Sequence, residues 1–271
     1  MSRLSPVLSY LVLLLSAALC VLPFLYMLSL SLQSDAELFS GIPVLIPEEL
    51  QFLNYATIWE RAPFGRFIVN SLIIAGGITL LHLVFDPLVG YVFAKLNFPG
   101  KKIVFGIVLS TLMIPFFIRL IPLYIITAEF GWLNTYPGLI MPFAMSAYGI
   151  FLMRQFIAPL PNELLDAARI DGCSEFRIYW QIVLPQVRPA LATLALLTFV
   201  FQWNEFLWPL VVVSTTEMRP ITTGLTLFNQ ETFTQWNLTS AGGVLLFFPS
   251  LMLFLFAQRY LVRSVMLAGM K

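Results

Sequence analysis

The stretch DAARIDGCSEFRIYWQIVLP, residues 166–185, decides how this chain is organised. It is dense in charge, whereas the whole sequence is 59% hydrophobic and only 11% charged. Soluble domains carry about a quarter of their residues as charges, so a lipid bilayer is the expected solvent of the chain. A charged segment in such a chain is expected to project from the membrane. The charged residues of the segment are Asp166, Arg169, Asp171, Glu175 and Arg177.

Six apolar segments surround this stretch, and each is near the length of roughly 20 residues that a membrane-spanning helix requires. The fold class is therefore predicted to be all-α, a polytopic membrane protein forming a single transmembrane domain over residues 1–271. His82 and the Asp86-Pro87 pair interrupt the second segment. The predicted spans are 8–32, 67–94, 103–127, 137–157, 190–213 and 240–262.

Lysine and arginine predict the orientation of these spans, because such residues concentrate on the cytoplasmic side. With the N-terminus inside, eleven of the 15 basic residues lie in cytoplasmic segments and three lie outside. This bias predicts that both termini are cytoplasmic. The charged stretch then belongs to the largest cytoplasmic connection, residues 158–189, which we call the elbow segment.

Two short helices are predicted in the elbow segment. Asn162 is a candidate N-cap of the first helix, in which the spacing of Leu164, Ala167 and Ala168 predicts a shared face. Gly172 can end that helix in the left-handed conformation. Ser174 can cap the second helix, which Pro185 and Pro189 are expected to close.

Adjacent alanines create a surface of low relief that another protein can approach closely, and nearby charges can orient that partner. The residues alone leave open a second reading, in which the hairpin is amphipathic and rests on lipid.

The spacing of the elbow segment resembles the "EAA" loop of ABC-importer permeases: Glu-Ala-Ala, three residues, Gly, nine residues, Ile, any residue, Leu-Pro. Asp166 stands where Glu is usual, and Cys173 stands where Ala is common. In that family the loop forms a coupling helix that seats in a cleft of a cytoplasmic ATPase. The resemblance implies this coupling role for Asp166, Ala167, Ala168, Asp171, Gly172, Ile182, Leu184 and Pro185.

The resemblance extends over nearly the whole chain and is to the maltose-type sugar permeases. It is carried by FPGKK (98–102), MIP (113–115), IPLY (121–124), GWLNTYPGLIMP (131–142), FLMRQF (151–156) and QWNEFLWPL (202–210).

It implies a permease subunit of the bacterial inner membrane, surrounded by lipid, that imports a sugar or related carbohydrate. Glycerol-phosphate and other polyol derivatives stay open as substrates. The expected partners are a second permease, two copies of an ABC ATPase and an extracytoplasmic sugar-binding protein; no nucleic acid is expected.

The chain itself is not expected to be an enzyme. It lacks the G-x-x-x-x-G-K-[ST] loop that binds nucleotide phosphates, so ATP and Mg are expected on the partner subunits and no cofactor on this chain. With one His and two Cys, no metal site and no nucleophile–base–acid set is visible, which weighs against a membrane enzyme.

Polar residues inside a bilayer are functional candidates, because burying them in lipid is costly. Trp203, Asn204, Glu205 and Trp208 suit a sugar, since aromatic faces stack on C–H groups while amides and carboxylates bond hydroxyls. A purely structural role for Glu205, bonding a neighbouring span, is equally open.

His82 and Asp86 lie four residues apart and share a helix face. They could relay protons in a secondary transporter, the alternative to an ATP-driven importer, although a structural contact is the favoured reading. Arg119 is expected to pair with Asp86 or Glu205, with an anionic group on the substrate as the other option.

The second external loop, residues 214–239, is either a solvated connector or a contact for the binding protein. The resemblance implies the latter role for Asn229, Gln230, Glu231 and Phe233.

Overall fold

The computed structural model describes residues 6–40, 44–228 and 234–269. These residues form helices and no β-strand, which confirms the all-α fold class. In chain order the α-helices are α1 Pro6–Ser31, α2 Asp35–Leu38, α3 Leu53–Arg61, α4 Phe64–Lys95, α5 Lys101–Ser110, α6 Phe116–Glu129, α7 Tyr136–Ile140, α8 Ala147–Ile157, α9 Asn162–Ile170, α10 Glu175–Ile178, α11 Leu184–Gln186, α12 Arg188–Trp203, α13 Leu207–Val212, α14 Ile221–Gly224 and α15 Trp236–Gly269.

Three of these helices are long and apolar enough to cross a membrane alone, over Val7–Ser31, Phe64–Lys95 and Trp236–Phe256. The second of them, α4, runs without a break through Pro87. The predicted interruption at His82 and Asp86-Pro87 therefore leaves the helix continuous.

Three further spans exist only if each of three bent helix pairs is counted as one, which gives up to six. The pairs bend by 103° between Lys101–Met113 and Phe116–Glu129, by 45° between Tyr136–Phe143 and Ala147–Ile157, and by 80° between Glu175–Gln186 and Arg188–Trp203. The count of six spans stays a prediction.

Three of the predicted spans are broken within their predicted bounds. Segment 137–157 is interrupted between Phe143 and Ala147. Segment 103–127 breaks at Ile114, which is extended with ψ 111°, because a residue before proline is disfavoured in helical conformation. Segment 190–213 is divided between α12, which ends at Trp203, and α13, which begins at Leu207. Apolarity predicts membrane depth, but it does not reveal these backbone breaks.

The described chain falls into two compact units. The first comprises the residues up to Gly65 together with Ile221–Pro249, and the second comprises Arg66–Pro220 and the residues from Ser250 onward. The predicted single domain over 1–271 stays a prediction.

The elbow segment packs on the main apolar core of the second unit. Leu165 and Ala168 of α9 lie there beside Tyr91 of α4 and Met153 of α8. Helices α4 and α8 approach closely at Gly90, where a Cβ atom would lie 2.9 Å from the Met153 Cβ. Further buried members of the core are Ile157, Ile178, Tyr179, Val183, Val187, Ala190 and Leu194.

A second core of the same unit surrounds Trp208, whose side chain is 1% exposed. It contains Ile74 and Ile78 from α4, Leu139 from α7 and Val212 from α13. The Trp208 Nε1–H donates to the Gly138 carbonyl at 3.0 Å, so the buried indole nitrogen is satisfied.

Candidate functional site

The turn between α9 and α10 has the conformation that the sequence predicts. Gly172 is left-handed with φ 80°, and its N–H donates to the Arg169 carbonyl at 3.0 Å while the Cys173 N–H donates to the Ala168 carbonyl at 2.9 Å. Such bonds satisfy carbonyls at a helix end. Ser174 then caps α10 by accepting from the Arg177 N–H at 3.4 Å, as predicted.

Three local predictions for the elbow segment are wrong. Asn162 is the first residue of α9 rather than its cap. The predicted shared face is divided, since Ala168 is buried in the core while Leu164 and Ala167 are exposed. The buried side of α9 consists of Leu165 and Ala168, which lie three positions apart. The second helix does not stop before Pro185 but continues through a π-helical turn, Tyr179–Val183, into α11, and it ends at Gln186, between the two prolines expected to close it.

The predicted coupling residues therefore divide into an exposed and a buried set. The exposed residues are Asp166, Ala167, Asp171, Gly172 and Pro185. Ala168 is buried, and Ile182 and Leu184 pack partly buried against the core. The outward face of the segment also presents Ile170, which is 87% exposed, so the surface offered to a partner is apolar in part.

Arg169 links the two helices of the elbow segment. Its Nη1 lies 2.6 Å from Asp166 Oδ1 and its Nε lies 2.7 Å from Glu175 Oε1. Both ion pairs are solvent-accessible, and exposed pairs contribute only about 0–1 kcal/mol each. Only the pair with Glu175 crosses the Gly172 turn, since Asp166 and Arg169 both belong to α9.

Glu175 also connects the elbow segment to α4. The Tyr91 hydroxyl, which belongs to a residue 2% exposed, donates to Glu175 Oε2 at 2.6 Å. The hydrogen bond from Arg169 lowers the pKa of the Glu175 carboxyl, and that from Tyr91 acts in the same direction. Glu175 is therefore a carboxylate at neutral pH, with one oxygen bound by Arg169 and the other by Tyr91.

Lys95, the last residue of α4, provides a second connection. Its Nζ donates to the Ala158 carbonyl at 3.0 Å and to Asn162 Oδ1 at 2.9 Å, and it also donates to the Leu160 carbonyl. The ammonium thus satisfies carbonyls beyond the C-terminus of α8, where a cation is favoured. Sequence reasoning used Lys95 only to assign orientation and did not single out Tyr91.

The predicted substrate residues lie at the break between α12 and α13. Glu205 Oε1 accepts from the Leu207 and Trp208 N–H groups at 3.0 and 3.2 Å, so the carboxylate caps α13. Trp203 is 1% exposed, and the Asn204 amide donates to the Val200 carbonyl at 2.7 Å. Glu205 and Trp208 also line a small pocket with Ser71 and Gln202.

His82 and Asp86 form a buried pair with 2.8 Å between Nδ1 and Oδ2. The His82 Nε2 lies 2.8 Å from the Phe143 carbonyl, which can only accept, so Nε2 carries a hydrogen. Asp86 Oδ1 accepts from the Ser146 N–H at 3.1 Å. These contacts join α4 to the start of α8.

Arg119 does not form the predicted ion pair with either carboxylate in the described chain. Its guanidinium carbon lies 5.8 Å from the centroid of the Phe116 ring, and the Asp86 carboxyl lies beside His82 instead.

The predicted binding-protein contacts Asn229, Gln230, Glu231 and Phe233 lie outside the described residues. Within residues 6–40, 44–228 and 234–269, no group of three or more His, Cys, Asp or Glu side chains could hold a metal ion.

Comparison with protein families identifies one match. The family described as "Binding-protein-dependent transport system inner membrane component" matches residues 87–267, which include the whole elbow segment.

Two named relatives are similar over most of their length. The arabinooligosaccharides transport system permease protein AraQ of Halalkalibacterium halodurans is 36% identical over 98% of this chain and 98% of the relative. The sn-glycerol-3-phosphate transport system permease protein UgpE of Yersinia pestis is 34% identical over 85% of each.

Solved structures show the same fold. A chain of a bacterial ABC transporter involved in the import of the acidic polysaccharide alginate superposes with a TM-score of 0.83 at 23% identity, covering 96% of this chain and 99% of that one. A second structure, of a bacterial alginate ABC transporter with an alginate pentasaccharide-bound periplasmic protein, gives a TM-score of 0.65 at 18% identity over 92% of each chain.

Proposed function

The chain belongs to the family of binding-protein-dependent transport system inner membrane components, and from that premise we propose that it is a permease subunit of an ATP-driven importer for a sugar or a related carbohydrate. Relatives named for arabinooligosaccharides and for sn-glycerol 3-phosphate support this range of substrates. A second permease, two ATPase copies and a periplasmic binding protein complete the assembly, with ATP and Mg bound by the ATPase subunits. Both termini of this chain lie in the cytoplasm.

The observation that supports the proposal is the attachment of the elbow segment to α4 by hydrogen bonds and apolar packing. Tyr91 holds Glu175, and Lys95 holds the connection between α8 and α9. A force applied to α9 is thereby transmitted to α4 through two polar contacts and a shared apolar core. Closure of an ATPase pair against α9 would move α4 and alternate the access of the pathway.

The exposed face of α9 suits an ATPase cleft. Leu164 is 41% exposed and Ile170 is 87% exposed, and between them lies the small side chain of Ala167. Exposed apolar residues rimmed by charges are typical of protein interaction sites. The same residues resting on lipid would leave the carboxylate of Asp166 close to acyl chains, which is costly.

A proton-coupled secondary transporter is the alternative, and the contacts of His82 and Asp86 weigh against it. Each residue also contacts the segment that leads into α8, His82 through the Phe143 carbonyl and Asp86 through the Ser146 N–H. A relay needs groups that exchange partners, and these have partners fixed within the protein.

Uptake by the reconstituted assembly tests the proposed function. Proteoliposomes containing the permease pair and the ATPase should accumulate saccharide only with internal ATP and external loaded binding protein. Accumulation driven by a proton gradient, in vesicles that contain this chain without an ATPase, would refute the proposal and establish the alternative.

The contribution of Lys95 separates coupling from assembly. We expect Lys95→Met to preserve ATP hydrolysis and to reduce uptake per ATP, because one of the two polar contacts between α4 and the elbow segment would be lost. Lys102→Met is a matched control, since that lysine is exposed in the first turn of α5, the next helix along the chain. Equal uptake per ATP in both variants would contradict the coupling path.

A further inference from the structure

A cleft of about 660 Å³ opens within the first unit of the chain. This volume lies within the range of roughly 300–1,000 Å³ found for small-molecule sites. The predicted orientation places its residues outside the cell or, for Trp236, Asn237 and Leu238, at the outer end of the span-length helix α15. The lining residues are Asp35, Leu38, Phe39, Asn54, Thr57, Arg61, Thr234, Gln235, Trp236, Asn237 and Leu238.

Two aromatic side chains border this cleft with their surfaces uncovered. Trp236 is 57% exposed and Phe39 is 72% exposed. Aromatic side chains contribute large contact areas when they are covered. Their faces can stack on the C–H surface of a sugar ring, so the cleft offers two such platforms.

The polar groups of the cleft are held in place by bonds within the same unit. The Asn237 amide donates to Asp35 Oδ1 at 2.9 Å, and Arg61 Nη1 donates to Gln235 Oε1 at 2.9 Å. The Asn54 amide donates to the Ser31 and Gln33 carbonyls, at 3.0 Å each. Side chains fixed in this way lose less conformational freedom when a ligand binds.

The charges of the cleft select against strongly ionic ligands. Its lining contains one carboxylate, Asp35, and one guanidinium, Arg61, so the two charges offset each other. Carboxylates, guanidinium groups and amides all hydrogen-bond to hydroxyls. A ligand with many hydroxyls and an apolar ring face satisfies both the polar and the aromatic parts of the lining.

We propose that this cleft is an external binding site for a neutral oligosaccharide. The inference rests on the proposed function and adds to it a site outside the membrane and distinct from the residues around Glu205. Trp236 stacks on one sugar ring, while Asp35, Arg61 and Gln235 bond its hydroxyls. The site can hold one end of a saccharide chain before it enters the membrane.

Direct binding measurements test the site. The permease pair with its ATPase, in nanodiscs and without binding protein, is dialysed to equilibrium against radiolabelled arabinotriose and, separately, maltotriose. We expect saturable binding of at least one trisaccharide. Trp236→Ala should weaken it about threefold to tenfold, the range expected for one aromatic contact, and Trp236→Phe should restore part of the loss.

Two further variants locate the site. Asp35→Asn keeps an oxygen acceptor for Asn237 but removes the charge, so it should weaken binding while leaving the thermal unfolding of the complex unchanged. Trp59→Phe is the matched control, because Trp59 is also about half exposed at 51% and lies outside the cleft lining. It should bind as the unaltered chain does.

The inference and the proposed function can fail separately. Absence of saturable binding of both trisaccharides up to millimolar concentrations, or equal binding by Trp236→Ala and the unaltered chain, would overturn the cleft site even where ATP-driven uptake is intact. Trp236→Ala could instead leave saccharide binding unchanged and weaken stimulation of the ATPase by the binding protein. That result would make the cleft a protein contact and would likewise overturn the site.

Discussion

The Tyr91 hydroxyl donates to Glu175 Oε2 at 2.6 Å across 84 positions of sequence. One residue is buried in the core near the end of α4, and the other begins α10. Their hydrogen bond gives the exposed elbow segment a fixed attachment in the core of the second unit.

Removing this hydroxyl should loosen the attachment. We expect Tyr91→Phe to lower the free energy of unfolding by about 1–2 kcal/mol, since a hydrogen bond to a charged partner contributes at the upper end of the usual range. Thermal unfolding of the purified complex measures the change. Tyr179→Phe is the matched control, because its ring packs 5.5 Å from that of Tyr91 and its hydroxyl has no hydrogen-bond partner among the described residues. A larger loss in Tyr179→Phe than in Tyr91→Phe would argue against the attachment.

The lowered pKa of Glu175 predicts a dependence of stability on pH. Because the folded-state pKa lies below that of the unfolded chain, the carboxylate contributes its full stability above about pH 4.5. This contribution falls as the pH drops through the lowered pKa. Glu175→Gln should therefore destabilise the complex at neutral pH and narrow its difference from the unaltered chain on acidification. A difference that does not change between neutral and acidic pH would show that Arg169 and Tyr91 do not act on this charge.

A bulky side chain at Gly172 should uncouple ATP hydrolysis from uptake. Gly172 is exposed, and nothing lies within 4 Å of a Cβ built there, so Gly172→Trp projects outward into the space where the ATPase would seat. Gly172→Ala shares the cost of about 1–2 kcal/mol for a left-handed non-glycine residue but lacks the bulk. Uptake per ATP should fall in the Trp variant and be largely kept in the Ala variant. Unimpaired transport by Gly172→Trp would count heavily against the coupling role.

The close approach of α4 and α8 should not tolerate a methyl group at Gly149. A Cβ atom there would lie 1.8 Å from Asp86 Oδ2, so the buried pair with His82 would have to separate. We expect Gly149→Ala to cost at least about 3 kcal/mol, at or beyond the usual range for overpacking, and to reduce the amount of folded protein in the membrane. Gly76→Ala, with nothing within 4 Å of its Cβ, should be tolerated. Similar yields of the two variants would show that α8 can shift away from Asp86.

Replacement of His82 distinguishes a structural pair from a proton path. His82→Gln retains a donor for the Phe143 carbonyl, so ATP-driven uptake should continue at reduced thermal stability. A protonophore should leave the uptake of both proteins unchanged when ATP is supplied. Loss of uptake on collapse of the proton gradient, in the unaltered protein alone, would assign His82 to a relay.

Local turn chemistry in the sequence predicted the turn between α9 and α10. The Asp171-Gly172 stop and the Ser174 cap depend on neighbouring residues only, and both are confirmed. The burial of Ala168 was not predictable in the same way, since Leu164 and Leu165 are equally apolar and only the core decides which of them turns inward. Asn162 is a good cap by composition, but Lys95 binds its side chain from another helix.

In the candidate site, too, contacts between residues close in the sequence were predictable and contacts between distant residues were not. His82 and Asp86 are four residues apart, so their contact follows from helix geometry. The partners of Glu175 and Lys95 lie 84 and 67 positions away, and no pattern in one sequence joins them. In the sequence, a tyrosine and a lysine near the end of a predicted span are typical of anchors at the membrane interface, and nothing in that pattern indicates their attachment to the elbow segment.

The π-helical turn at Tyr179–Val183 has a consequence for how the chain can vary in length. Ile178 and Val183 both face the core although they are five residues apart, a separation that would place them about 140° apart on a regular α-helix. The wide turn absorbs one surplus residue that a regular helix could not hold. Homologous chains one residue shorter at this point could keep the same interior contacts, so a deletion there would preserve the register between α9 and α12.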